Sequence, residues 1–399
     1  MKKMIFILFF FLAFLPIPKA LSLPVDVTAE NVILVNLDKD EVIYEKNPDD
    51  PVILASLTKI MTAYTVIKNV DNLDRKVTIT EKDISNLYGF TCAGLEVGDQ
   101  VTYRDLLYAM MLISGADASQ ALAIHVSGDV ESFNELMNKE ASELGLRHSN
   151  FADSYGGDDN NISTAREVSH LLKAALENET FKKIFSTNYY TLSNGLQVVN
   201  YTASLATFHG YDSSIITGNK SGYTPEAGLL LASTATINDN NYLLVVCKSK
   251  ENIYLSQHVI DTYKIYDYLD QVTFKERVIL KKGTIIKRIE AEDSTISEYI
   301  AIVDKDITAF LSDSDYEKIR YEYHVTNLIT PQNKIGDNLG FVDILVDNEI
   351  IDTYHIYLKD EVFSYQKESK IIMIIIIGLI FFIIVLLCTN MMNFDRKRF

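Results

Sequence analysis

The chain has 399 residues, of which 48% are hydrophobic and 23% charged, a composition typical of globular proteins and long enough for two domains. Its formal net charge of -17 would repel a phosphate backbone, which argues against nucleic acid as a partner. The three cysteines include no closely spaced pair, which argues against a zinc site and against a disulfide framework.

The first segment has the pattern of a signal peptide. Two lysines precede an apolar run over residues 4–15, which is shorter than the roughly 20 residues that span a bilayer. Cleavage is expected after Ala20, whereas Pro18 disfavours it and keeps an uncleaved anchor as the alternative. We therefore assign residues 1–22 to a signal peptide.

Residues 23–273 begin and end with strand patterns and carry helical patterns between them. Val32–Leu37 and Glu41–Glu45 flank a turn and predict one hairpin, and Leu229–Ile237 with Tyr242–Lys248 predict another. This order favours an α/β (α+β) domain in which one antiparallel sheet is flanked by helices.

Helices are predicted where apolar residues recur three and four positions apart. One follows Ser56 and runs to Val70, and a second covers Tyr103–Ile113. The pattern breaks at Ser114–Ala116 and resumes over Asp117–Val126. If this break has only a structural role, Ser114 simply marks the end of a helix.

From about Arg277, short β-type runs follow one another, separated by turns such as Gly283 and Gly336–Gly340. We expect a small all-β domain over residues 274–366. It contains no cluster of His, Cys and carboxylate residues, so its expected role is that of a spacer or a docking platform.

Ile371–Cys388 is an uninterrupted apolar stretch, about the shortest that spans a bilayer, and predicts a single transmembrane helix. Three basic residues lie in the tail that follows it, residues 389–399. Because positive residues stay in the cytoplasm, we expect a cell-membrane protein whose main body is extracellular. The alternative is a buried helix of a soluble protein.

Ser56 and Lys59 are three residues apart on the predicted helix and therefore share one of its faces. A hydroxyl becomes a good nucleophile only when a base removes its proton. A lysine amine is such a base when burial or a nearby cation lowers its pKa from about 10.4. The alternative is a serine that caps the helix, beside an exposed lysine.

Three motifs follow in order: Ser56–Lys59 (Ser-Leu-Thr-Lys), Ser114–Ala116 (Ser-Gly-Ala) and Lys220–Gly222 (Lys-Ser-Gly). Motifs of this kind are signatures of penicillin-binding proteins and serine β-lactamases. With its flanking sequence, the chain resembles the low-molecular-mass penicillin-binding proteins, the serine-type D-Ala-D-Ala carboxypeptidases, over roughly residues 28–270.

The resemblance implies catalytic roles for four residues. Ser56 would attack the carbonyl between the two terminal D-alanines of a peptidoglycan stem peptide, and Lys59 would take its proton. Ser114 would pass that proton to the leaving amine. Lys220 would help to keep Lys59 neutral and attract the substrate carboxylate.

The resemblance also implies a substrate-binding strand, over Lys220, Ser221, Gly222, Tyr223 and Thr224. The backbone N–H of Tyr223 would form an oxyanion hole together with that of the nucleophilic serine, and Thr224 would bond the terminal carboxylate. Such an enzyme needs no metal or cofactor, and β-lactams are its covalent inhibitors.

Two departures from the family pattern stand out. Ala116 occupies a position where Asn is usual, and no arginine for the substrate carboxylate is evident over residues 194–219. Lys248 or Lys250 would substitute for the arginine as a point charge. Ala116 motivates one rival function, a catalytically weak penicillin-binding or scaffold protein. A β-lactamase is a second rival, for which we find no glutamate in a convincing deacylation motif.

Overall fold

The structure, a computed structural model, describes residues 25–251 and 256–395, with their side chains apart from those of 365–368 and 386–395. The expected signal peptide lies outside the described residues. The described chain divides into two compact units, an N-terminal unit that ends at Phe274 and a C-terminal unit that begins at Lys275. The domain bounds given above stay a prediction.

The N-terminal unit combines strands at its two ends with helices between them. Its strands are, in chain order, β1 (Asn31–Asn36), β2 (Glu41–Lys46), β3 (Val52–Ile53), β4 (Lys76–Thr78), β5 (Gln100–Thr102), β6 (Ile162–Ser163), β7 (Tyr189–Thr191), β8 (Gln197–Val199), β9 (Ile216–Thr224), β10 (Gly228–Ile237) and β11 (Asn240–Ser249). Its helices are α1 (Thr58–Asn69), α2 (Glu81–Ile84), α3 (Tyr103–Leu112), α4 (Ala116–Ser127), α5 (Val130–Glu143), α6 (Ala165–Leu176), α7 (Glu179–Phe185), α8 (Thr202–Phe208) and α9 (Gln257–Gln271).

The main sheet of this unit is antiparallel, in the order β2-β1-β11-β10-β9. Both predicted hairpins are present in it. Asn238 and Asp239 join β10 to β11 with positive φ angles of 49° and 59°, the backbone that a two-residue hairpin turn requires. The expected antiparallel sheet with flanking helices is thereby confirmed.

Helix α1 lies in the middle of the unit rather than on its surface. Eight of the nine residues from Thr58 to Val66 are buried, so the helix is enclosed on all sides and not along one stripe only. It packs against α3, α4, α5 and α6. A 3-10 turn, Ala55–Leu57, precedes it and carries Ser56. The start of α1 is therefore surrounded by protein atoms rather than by water.

The predicted break between two apolar helices is confirmed. Helix α3 ends at Leu112 and α4 begins at Ala116, and Ser114 between them has a φ of 66°. A positive φ is unusual for a residue with a side chain and marks a constrained backbone. Ser114 is thus held in one orientation between two rigid helices.

The C-terminal unit consists mainly of short strands. In chain order its elements are β12 (Phe274–Leu280), β13 (Ile285–Ala291), β14 (Glu298–Ile302), β15 (Ile307–Ser312), α10 (Asp313–Glu317), β16 (Ile319–Val325), β17 (Leu328–Ile329), β18 (Asn338–Val346), β19 (Glu349–Tyr357) and α11 (Tyr365–Asp395). They form three small sheets, β12-β15, β14-β13-β17 and β16-β18-β19. The expected all-β character of this part of the chain is confirmed.

The predicted membrane span, residues 371–388, falls on α11. Among the residues that the structure describes, no helix is long and apolar enough to cross a membrane. The transmembrane helix expected from the sequence is therefore not supported.

Candidate active site

The hydroxyl oxygen of Ser56 accepts two hydrogen bonds, one from a side chain one helical turn away and one from a side chain that is distant in sequence. The amine of Lys59 donates to its Oγ at 3.0 Å, and the hydroxyl of Ser114 donates to the same atom at 2.8 Å. Ala55, directly before it, has a positive φ of 42°. The hydroxyl of Ser56 is thus fixed between an amine and a second hydroxyl, the arrangement that activates a nucleophile.

The amine of Lys59 is buried, with 2% of the residue exposed. Besides Ser56 it contacts the carbonyl oxygen of Tyr155, to which Nζ donates at 2.5 Å. Burial lowers the pKa of Lys59 to about 7, although the negative charges of Asp153 and Asp117 oppose this shift. An amine with this pKa is largely neutral slightly above pH 7 and is then able to accept a proton.

Lys220 lies on β9 and is also buried. Its Nζ donates to the carbonyl of Ser221 at 2.8 Å. Burial and then the charge of Lys59 hold the pKa of Lys220 well below its usual value. The charge of Lys59 therefore acts on Lys220, whereas burial is the largest cause of the lowered pKa of Lys59 itself.

The strand β9 passes close to the turn that carries the nucleophile. A Cβ on Gly222 would lie 3.1 Å from the backbone nitrogen of Ser56, so a side chain at this position would push the strand away. Tyr223, the next residue, is half exposed. The backbone of β9 at Gly222 therefore lies beside the amide of Ser56.

Thr224 ends β9, and its Oγ1 accepts the backbone N–H of Ala227 at 3.0 Å. Its hydroxyl proton remains for another acceptor, because a hydroxyl accepts and donates at once. Lys248, considered as a substitute for the missing arginine, donates instead to the carbonyl of Pro51 at 3.3 Å. Lys250 is exposed.

The loop after α5 supplies contacts that the sequence motifs do not contain. The carboxylate of Asp153 accepts four backbone N–H groups within this loop, and Tyr155 presents its carbonyl to Lys59. Gly156 has a φ of 83°, and a Cβ there would lie 1.7 Å from the carbonyl oxygen of Ala55. The adjacent glycines at 156 and 157 are the sequence signal that could have indicated such a close approach, and they were not among the residues predicted for the site.

A second carboxylate, that of Asp117, holds the loop over residues 93–95. Asp117 accepts the backbone N–H groups of Ala93, Gly94 and Leu95 at 2.8, 3.0 and 3.1 Å. Ala116, where asparagine was expected, is buried and donates its own N–H to a carbonyl at 2.8 Å. Without an asparagine at this position, the amine of Lys59 still has two acceptors, the hydroxyl oxygen of Ser56 and the carbonyl oxygen of Tyr155.

Comparison with known proteins agrees with this geometry. The sequence profile of peptidase S11, described as D-alanyl-D-alanine carboxypeptidase, matches residues 18–251, and that of the C-terminal domain of penicillin-binding protein 5 matches residues 274–364. The chain belongs to the peptidase S11 family.

The relatives of this S11 chain extend over most of its length. It is 30% identical over 361 residues to the D-alanyl-D-alanine carboxypeptidase DacA of Haemophilus influenzae, covering 85% of this chain and 86% of the relative. It is 26% identical to the D-alanyl-D-alanine carboxypeptidase DacF of Bacillus subtilis, covering 84% and 85%.

Solved structures support the S11 fold. The Streptomyces K15 DD-transpeptidase matches with 31% identity and a TM-score of 0.55, covering 61% of this chain and 97% of that one. Penicillin-binding protein 5 from Haemophilus influenzae matches with a TM-score of 0.60 and covers 86% of this chain and 99% of that one. At 24% identity, the second likeness is used for the fold only.

Proposed function

We propose that this protein is a serine D-alanyl-D-alanine carboxypeptidase that removes the terminal D-alanine from peptidoglycan stem peptides. The single observation that carries the proposal is the buried amine of Lys59, 3.0 Å from the hydroxyl oxygen of Ser56, which also accepts a bond from Ser114. The names of the S11 relatives supply the substrate class.

In the first step, Ser56 Oγ forms a bond to the carbonyl carbon between the two D-alanines as its proton passes to Lys59. The amides of Ser56 and Tyr223 stabilise the negative oxygen that develops, an effect worth roughly 3 kcal/mol per donor in comparable sites. The carbon–nitrogen bond then breaks, and Lys59 returns the proton through the hydroxyl of Ser114 to the nitrogen of the departing D-alanine, which leaves the amine of Lys59 neutral again.

In the second step, water attacks the ester carbon of the acyl-enzyme. One of its protons goes to the neutral amine of Lys59, the ester bond to Ser56 breaks, and Lys59 returns that proton to the serine oxygen. In this proposal, Lys220 and Thr224 of β9 bind the carboxylate of the substrate, together with Ser221 and the backbone of Gly222.

The rivals are less well supported. The carbonyl of Tyr155 gives Lys59 the acceptor that Ala116 lacks, which weakens the case for an inactive scaffold. A β-lactamase needs a carboxylate that activates water, whereas Asp153, beside Lys59, is occupied by four backbone amides.

The test is the release of D-alanine from a peptide that ends in D-Ala-D-Ala. We expect release by the wild type and none by Ser56→Ala. Ser142→Ala, an exposed serine on α5, is the matched control and should retain full release. Binding of the peptide without release in the wild type would support the scaffold instead, and rapid turnover of penicillin would support the β-lactamase.

We further propose that the chain acts outside the cell and is held at the cell membrane by its C-terminal helix, with residues 274–366 as a separate domain. The support is the exposure of the apolar side chains over 371–385 and the basic residues after them. The full chain should remain with membranes after a high-pH wash, and a chain that ends at residue 366 should not. If the wash removed the full chain and the shortened chain from membranes equally, attachment by the C-terminal helix would be contradicted.

A further inference from the structure

The loop that contains Asp153 is folded around that one side chain. Oδ1 of Asp153 accepts the N–H groups of Tyr155 and Gly156 at 2.9 and 2.5 Å, and Oδ2 accepts those of Gly157 and Asp158 at 2.8 and 2.6 Å. Asp153 is only 8% exposed. Bonds from backbone N–H groups to an ionised carboxylate are among the strong ones, so they determine the path of these residues.

This path has a direct consequence at the reactive centre. It turns the carbonyl oxygen of Tyr155 toward Lys59, at 2.5 Å from Nζ. It also brings Gly156 against the carbonyl of Ala55, where no Cβ fits. The position of an acceptor of the lysine amine therefore depends on a carboxylate that does not itself bond to that amine.

We infer that Asp153 is a positioning residue for the amine of Lys59, acting through the carbonyl of Tyr155 and through its own negative charge. This inference rests on the proposed function, in which the amine is the base. It assigns a role to a residue outside the three sequence motifs.

The charges that face Lys59 set the sign of the effect. Asp153, then Asp117 and Cys92, raise the pKa of Lys59 against the larger effect of burial. Lys220 is the neighbouring amine, and burial and then the charge of Lys59 lower its own pKa. Removal of the charge of Asp153 therefore lowers the pKa of Lys59 further. Because the base acts in its neutral form, the rate is retained above this pKa and lost below it, and the loss should begin at a lower pH in the variant.

The test measures acylation by a fluorescent penicillin from about pH 5 to about pH 10 in Asp153→Asn. Asparagine keeps the shape but loses the charge and one of the two acceptor atoms. We expect the acid limb to lie about one pH unit lower than in the wild type, and the plateau rate to be about tenfold lower. Asp159→Asn, an exposed carboxylate six positions further on, is the charge-matched control and should leave both unchanged.

An acid limb at the same pH in Asp153→Asn and Asp159→Asn would overturn the inference. If Asp153→Asn does not fold, Asp153→Glu decides, since it keeps the charge but displaces the four amides. It should retain the acid limb and lower the plateau, and a plateau equal to that of the wild type would overturn the inference.

A second readout separates this inference from the proposed function. The Lys59 amine is titrated directly by NMR with labelled lysine, and Lys59→Arg assigns its signal. We expect a pKa of about 7 in the wild type and a lower one in Asp153→Asn. An unchanged pKa overturns the role of Asp153, even where acylation is normal. If the wild type is not acylated at any pH, the proposed function fails, and the titration still tests Asp153.

Discussion

The two units of the chain differ in what they bury. The N-terminal unit buries two lysines, Lys59 and Lys220, together with carboxylates such as Asp117 and Asp153. Among the described residues of the C-terminal unit, Asp343 is the one buried charged side chain. Burial of a charge costs free energy unless it is compensated, so a protein concentrates buried charges where chemistry needs them. The difference locates the chemistry in the N-terminal unit.

The largest expected effect comes from removing the buried amine. Lys59→Ala should lower the rate of acylation by penicillin by about 10³-fold, because the serine loses its base. Lys281→Ala makes the same change at an exposed lysine of the C-terminal unit and should leave the rate unchanged. A stopped-flow assay compares the two, and near-normal acylation in Lys59→Ala would remove the lysine from its role.

A pair of glycines tests the packing around the site. Gly156 and Gly283 have almost the same φ, 83° and 85°, but only at Gly156 would a Cβ meet protein atoms within 4 Å. Gly156→Ala should lower the free energy of unfolding by more than about 2 kcal/mol and the acylation rate by about 100-fold. Gly283→Ala should cost about 1 kcal/mol and leave acylation intact. Urea titrations measure the stabilities, and equal losses in both variants would contradict the close approach.

A smaller effect is expected at the position that departs from the family pattern. Ala116→Asn should change D-alanine release by less than about tenfold, because the carbonyl of Tyr155 already accepts from the amine. A large gain would mean that this carbonyl does not replace the missing amide. Measurement of release at saturating peptide distinguishes the two results.

The smallest effect is expected in the C-terminal unit. Asp343 accepts a hydrogen bond from the hydroxyl of Thr353 at 2.6 Å and lies 3.5 Å from His324 Nε2. Asp343→Asn should lower the free energy of unfolding by about 1 kcal/mol and leave acylation unchanged. A change in acylation would show that the chemistry is not confined to the N-terminal unit.

The sequence predicted the site more completely than it predicted the packing around it. Ser56 and Lys59 were predicted because a nucleophile and its base require a hydroxyl and an amine one helical turn apart, and Ser114 was predicted from the resemblance to a known family. The carbonyl of Tyr155 was missed because every residue carries one, so no residue type marks it. Asp153 was missed because a carboxylate that organises a loop looks like any other acidic residue.

The same contrast applies to the fold. The hairpins and the strands β12, β13, β14, β16 and β18 carry apolar runs that predict them, whereas β15, β17 and β19 of the C-terminal unit were missed. In β19, Glu349–Tyr357, an aspartate and a histidine interrupt the apolar pattern, and pairing with β18 supplies the order. The enclosure of α1 was also missed, because its one apolar stripe does not reveal how many helices surround it.

The central claim is that Ser56 is a nucleophile activated by a neutral amine. The most direct measurement is a site-resolved mass spectrum of the protein after exposure to penicillin above pH 7. We expect the mass of one penicillin on the peptide that contains Ser56, and no added mass in Ser56→Ala. An adduct on another residue, or an adduct that persists in Ser56→Ala, would contradict the account.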